Sequence, residues 1–285
     1  MSRLQGRLAL FFWLTLSAFP LFAAPLPVLV VGQEGPFRAG FVQALQEDGS
    51  VPVELVRDEE QAELVIALGD AAFSKARDLD KPLLGVYVSR SLSDRFQRKG
   101  CYCSAIWAGV ALADQLAMLE RMMPLARRVG VIFGAESAWT AGEVQDYRGP
   151  LGLVPLPVSG QDALGGVLRD RLDDLDAIVL PVDKPLFDVS VAKLILLTSY
   201  RQRKPVFGPD QAYVQAGSAA SLYASGADLV AETRVHLQFF QDRKRLRRAG
   251  FAHTPTAIVN DHVADSFDMR YRDTEALRAA LEVMP

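Results

Sequence analysis

Leu64-Val-Ile-Ala-Leu-Gly-Asp-Ala-Ala72 joins a strand, a turn and a helix start without a spare residue. Leu64–Leu68 is apolar at every position, whereas a strand with one face in water would alternate. Gly69-Asp70 breaks the run, and Asp is a favoured N-cap for a helix from Ala71. A strand covered on both faces and followed at once by a helix belongs in a parallel sheet flanked by helices.

The same pattern recurs along the chain. Strand-like segments are expected at Pro27–Val31, Val53–Val56, Leu83–Val88, Arg128–Phe133, Leu151–Pro157, Ala177–Pro181, Pro205–Phe207, Ala219–Leu222 and Thr256–Val259. Between them lie apolar stripes at helical spacing: Phe37, Phe41, Val42, Leu45; Leu112, Leu116, Leu119, Met123; and Val191, Leu194, Ile195, Leu197. The series runs twice, from Val28 to about Trp107 and, after a helix ending at Met123-Pro124, from Val129 to Val206. This predicts an α/β chain of two similar lobes, 24–107 with 208–250 and 108–207 with 251–285, joined by close crossings.

Residues 1–23 carry Arg3 and Arg7, an apolar run from Leu8 to Phe22 and then small residues, the layout of a cleaved secretory signal peptide. The run is shorter than the roughly 20 apolar residues of a spanning helix. The expected location is therefore the periplasm. Losing Arg3 and Arg7 leaves 29 Lys and Arg against 34 Asp and Glu, formally −5, which gives no case for nucleic acid. The basic run Arg243-Lys-Arg-Leu-Arg-Arg248 fits a helix end, with Gly250 as its cap.

Cys101 and Cys103 leave three readings, a disulfide favoured by an oxidising compartment, inert thiols, or redox or metal chemistry; the one-residue spacer closes a tight ring, and two thiols without a nearby His make a poor zinc site. Gly-x-Ser-x-Gly, Walker and His-Glu-x-x-His sequences are absent, and His236, His253 and His262 lack metal-ligand spacing. A binder without cofactor or metal is expected, not an enzyme.

In open parallel sheets ligands bind beyond the carboxyl ends of the strands. The residues there are Gln33, Gly69, Asp70, Ser89, Ser137 (with Trp139 nearby), the pair Asp183-Lys184, and Asp210. Each has two readings. Asp70, Ser137 and Asp210 suit helix caps or ligand contacts. Trp139 suits a core or an aromatic wall. Asp183-Lys184 suits a solvated turn, or a pair in which Asp183 takes an ammonium and Lys184 an anion.

At Leu64–Ala72, Pro82–Val88, Met122–Phe133, Ala177–Lys184, Arg203–Gly208, Gln215–Ala220 and Ala257–Ala264 the chain resembles periplasmic substrate-binding proteins of ABC transporters, in the group that includes tryptophan and tyrosine binders. The resemblance implies two Rossmann-like lobes of the type I periplasmic-binding fold, hinged about a central cleft with three crossings. It also implies a monomer that carries a small solute, an amino acid or related anion, to a membrane permease. A sensory or accessory protein signalling to a membrane receptor or kinase is the alternative. Asp183 falls where the family tends to place a cleft-facing Asp, Gly69 at its ligand-facing glycine and Ser137 at its polar post-strand position. Asp70 stands where the family usually has Thr, and Lys184 where it usually has Asn, implying a more charged pocket.

Overall fold

The computed structural model describes residues 24–47 and 51–282; the expected leader, residues 1–23, lies outside them. The chain opens with β1 (Leu26–Val31), α1 (Pro36–Glu47), β2 (Val53–Leu55), β3 (Leu64–Leu68), α2 (Gly69–Ala76), β4 (Leu83–Val88), α3 (Arg90–Arg98) and β5 (Cys103–Trp107). These strands form a five-stranded sheet in the order β2-β1-β3-β4-β5, parallel throughout. Central β3 is buried along its whole length, as its unbroken apolar run requires.

Then follow α4 (Leu112–Met122), β6 (Arg128–Phe133), α5 (Ala141–Asp146), β7 (Gly152–Pro157), α6 (Gln161–Arg171), β8 (Ala177–Val179), α7 (Val189–Arg201), β9 (Val206–Phe207), α8 (Gln211–Ala216), β10 (Ala220–Tyr223), α9 (Gly226–Arg243), β11 (Thr256–Val259), α10 (Asp261–Ser266) and α11 (Thr274–Glu282). A six-stranded sheet runs β11-β10-β9-β8-β6-β7, parallel except where β10 meets β11.

Successive strand residues feed opposite faces. In the first sheet Ile66, Leu84 and Ile106 meet Phe41 and Leu45 of α1 and Leu237 of α9, while Val65, Ala67 and Ala105 meet Phe73 of α2 and Phe96 of α3. In the second, Val129, Val131 and Val179 pack on α4, and Ile132 and Ile178 on α6 and α7. Each fully buried Leu, Ile or Phe contributes about 1.5–3 kcal/mol.

The chain passes between the sheets at 108–111, at 224–225 and at 251–255. This corrects the expected return to the first lobe at Gly208. β9 and β10 both belong to the second sheet, where Ala220 pairs with Phe207, and Gly208-Pro209 only turns the chain into α8. Nor does Gly250 cap α9. That helix ends on Lys244 in the left-handed region (φ 51°), and Gly250 joins the first sheet, giving its N–H to Ala105 and taking that of Trp107. β5 was not expected from its sequence. Polar Ser104 interrupts its apolar run, yet its hydroxyl is buried against the Arg247 carbonyl. Leu194, Leu197 and Phe37, counted among the apolar stripes, point outward. Cys101 and Cys103 are joined as a disulfide at the start of β5.

Candidate functional site

The carboxyl ends of β3 and β4 form one wall. Gly69 takes the left-handed turn at the end of β3 (φ +80°) and hands the chain to Asp70 in the first turn of α2. Asp70 reaches across to the next strand end: Oδ1 accepts the Ser89 N–H at 2.7 Å and Oδ2 its hydroxyl at 2.9 Å. Ser89 is the N-cap residue of α3 and Arg90 its first residue, so this carboxylate fixes where Arg90 starts.

Tyr87, just before, is the strained point of the wall. It stands at φ 57° inside β4, where the ladder slips between Val86 and Val88. An aromatic residue there costs on the order of 1 kcal/mol and persists only where its surroundings over-determine it. Its ring lies 5.2 Å from the Lys184 ammonium, which belongs to the other sheet. Burial, then the Asp210 and Asp70 carboxylates, push its phenol above the ordinary tyrosine value.

The opposite wall comes from β6 and β8. Ser137 accepts the Gly134 N–H at 2.9 Å and donates to Asp183 Oδ2 at 2.7 Å; Asp183 Oδ1 takes the Leu186 N–H at 3.1 Å. Asp183 thus locks the loop after β6 to the loop after β8, and the Ala138 N–H on the Val182 carbonyl adds a second tie. Gly109 of the first crossing (φ +98°) passes beneath this knot, where an added Cβ would lie 3.1 Å from Val182 and 3.6 Å from Ala138.

Between the walls lies a cavity of about 230 Å³, with Asp70, Ser89, Arg90 and Arg95 on one side and Glu136, Asp183 and Lys184 on the other. Leu92, Ala108, Ala138, Val182 and Pro185 complete an apolar lining. The mouth is tied by charged groups. Arg90 stacks 4.5 Å from the Trp107 ring and donates to Glu143 at 2.7 Å and to the Ala138 carbonyl at 3.2 Å. Arg95 donates to Glu136 at 3.2 Å, and Ser91 donates to the same carboxylate. Burial alone would raise the Glu143 carboxyl, but its hydrogen bonds to Arg90 and Thr140 outweigh that and hold it below the usual range. Arg90 and Glu143 remain 18% and 39% exposed, which limits their pair. A double-mutant cycle on Arg90→Ala and Glu143→Ala is expected to give a coupling of about 0.5–1 kcal/mol in denaturant unfolding. Coupling near zero would mean that the tie carries no energy.

Of the residues expected at the site, Asp70, Ser89, Asp183 and Lys184 share this cavity, and Gly69 directly precedes it. Ser137 stands behind Asp183 as its support. Asp210 caps α8 by accepting the Tyr213 N–H. Trp139 is no wall of this cavity: it is 2% exposed and gives its indole N–H to the Val110 carbonyl at 2.7 Å, so it braces the first crossing. Gln33 lies at a separate depression beside Ala71 and Lys75. Tyr87, Arg90, Arg95 and Glu136 were missed. Glu136 and Arg90 each directly neighbour a residue picked out after a strand, and that adjacency was the available signal. Among the described residues no cluster of His, Cys, Asp and Glu is arranged to hold a metal ion.

No protein-family model and no curated protein matches the chain. Solved structures do. An ABC domain from Streptococcus pneumonia, in complex with L-Trp, superimposes with a TM-score of 0.59 at 15% identity, over 90% of this chain and 98% of that one. A substrate-binding protein with adhesive properties from Clostridium difficile, in its ligand-free open form, gives 0.59 at 16%, over 87% and 95%. A conserved domain protein from Vibrio cholerae gives 0.56 at 14%, over 90% and 98%. The chain therefore has the two-lobed, type I fold of periplasmic substrate-binding proteins of ABC transporters.

Proposed function

We propose that the chain is a periplasmic solute-binding protein, exported by a cleaved leader, that takes a small solute between its lobes and delivers it to a membrane permease of an ABC-type uptake system. The supporting observation is the cavity where the carboxyl ends of strands from both sheets converge, with each lobe supplying one wall. Solute held by both walls favours the closed arrangement over an open one by its differential affinity. A binding role suits the two aspartates, since Asp70 and Asp183 accept hydrogen bonds from Ser89, Ser137 and Leu186 and serve as struts. No helix among the described residues is long and apolar enough to cross a membrane.

A thermal-unfolding screen of the leaderless protein against amino acids, organic acids, sugars and inorganic ions tests the reading. A solute at 100 times its dissociation constant adds about 2.7 kcal/mol of stability. A flat response across the panel removes the solute-binding reading. It would leave the second one, a sensory or accessory protein of this fold read by a membrane receptor or kinase. That reading is favoured by the ties Arg90–Glu143 and Arg95–Glu136, which join the lobes through the protein's own groups.

A further inference from the structure

Resting on the reading that this cavity holds a solute, we infer that the solute is a small organic carboxylate without an ammonium group, and that Lys184 is the residue that recognises its charge. The donors and acceptors on the cavity wall are unequally partnered. Three acids line it, Asp70, Glu136 and Asp183. Every one of their carboxylate oxygens already accepts a donor from the protein. Asp70 takes the Ser89 N–H and hydroxyl, Asp183 takes Ser137 and the Leu186 N–H, and Glu136 takes Arg95 and Ser91. Each oxygen keeps a second lone pair, but an ammonium bound there would share its acceptor with the struts that hold the two strand-end loops.

The cations are differently placed. Arg95 is matched by Glu136, and the Arg90 Nη1 by Glu143 and the Ala138 carbonyl. The Arg90 Nε–H, however, is buried without a hydrogen-bond partner, 3.9 Å from the nearest oxygen of Asp94. Among the described residues the Lys184 ammonium meets no carboxylate, only the Tyr87 ring at 5.2 Å. That ring cannot neutralise it, because burial and two nearby carboxylates keep the phenol protonated. A cation–π contact leaves the ammonium's donors free to point elsewhere. The wall groups that have no hydrogen-bond partner at all among the described residues, the Lys184 ammonium and the Arg90 Nε–H, are thus donors, and a complementary solute brings acceptors and negative charge. The rest of the lining, Leu92, Ala108, Ala138, Val182 and Pro185, suits a short apolar tail, and about 230 Å³ admits only a small molecule.

Matched pairs that differ only in the α-amino group isolate this claim: 4-methylpentanoate against leucine, 3-phenylpropionate against phenylalanine, succinate against aspartate. Phosphate, sulfate and neutral sugars complete the panel for titration calorimetry on the leaderless protein. At least one desamino acid is expected to bind about tenfold or more tighter than its amino acid, with Lys184→Met losing about tenfold to hundredfold and Lys184→Arg staying within a few-fold. Lys184 is exposed, so neither variant disturbs the core. Amino acids binding as tightly as their desamino partners, inorganic anions binding as tightly as the carboxylates, or Lys184→Met binding the acid like wild type would each overturn the inference and leave solute binding intact. So would binding of sugars alone. Binding of nothing in the panel would remove the solute-binding reading itself.

Discussion

Gln115→Leu is expected to lower the free energy of unfolding by about 2–6 kcal/mol. Gln115 lies on α4, 1% exposed, with its amide inserted into the second sheet. Ala220 pairs with Phe207, and the Gly208 N–H reaches the Ala220 carbonyl at 3.0 Å. The next rung of a parallel ladder would send the Leu222 N–H to the Gly208 carbonyl. Instead Gln115 Nε2 donates to Gly208 at 2.8 Å, and Gln115 Oε1 accepts from Leu222 at 3.0 Å. A side-chain amide stands in for a peptide group where β9 and β10 part, just before the chain leaves the second sheet. Leucine matches its bulk but orphans one buried carbonyl and one buried N–H, each costing about 1–3 kcal/mol. Gln115→Glu keeps the acceptor and sets two oxygens against each other at Gly208, so it should also be destabilising. Denaturant unfolding that moves by less than about 0.5 kcal/mol for Gln115→Leu would show that the strands close without the bridge.

The same place explains what the sequence conceals. Segments with a dense apolar run and a clear stop, such as Leu64–Leu68 and Leu83–Val88, are legible because burial on both faces writes itself into every residue. The short β9 has no such run, and its pairing with β10 relies partly on Gln115, a residue far away in the chain. A turn at Gly208-Pro209 therefore reads like a lobe boundary when it is only the approach to α8. β5 is hidden for a related reason: buried Ser104 is satisfied by a carbonyl 143 positions on.

At the site, strand-end position was legible and role was not. Asp70 and Asp183 do stand at the cavity, but each spends its oxygens on protein donors that a linear reading cannot reveal. Trp139 illustrates the converse. Its position after β6 suited a core or a ligand wall, and the structure has the core reading, with the Val110 carbonyl of the first crossing capturing its N–H. Tyr87 left no trace, since an aromatic residue in a strand is ordinary and only the backbone shows it at φ 57°. The partnering of charged groups across the two walls decides which candidate residues are held by the protein's own groups.

Acidification should weaken the protein through His236. This histidine lies on α9, 3% exposed, with Nδ1 unpartnered and Nε2 3.7 Å from Glu232. Burial pulls its pKa down from 6.5 to about 4; Glu232 opposes the shift, and Arg247 and His253 add to it. The unfolded chain therefore takes up this proton first as pH falls. The stability tied to keeping His236 neutral is fully present above about pH 6.5 and is lost by about pH 4, roughly 3 kcal/mol in all. The consequence reaches the lobe connection, because the neighbouring Glu232 anchors the third crossing. Its Oε1 takes Arg247 at 2.6 Å and its Oε2 takes His253 at 2.8 Å. A proton forced onto His236 sets a further charge beside that one buried carboxylate, in competition with the Arg247 and His253 contacts that hold the crossing. Urea unfolding of wild type and His236→Gln between pH 7 and pH 4 measures the effect. The wild type should lose about 3 kcal/mol more than the variant over that range. Parallel pH profiles would mean that His236 does not govern the acid limb, and that the crossing gives way through other groups.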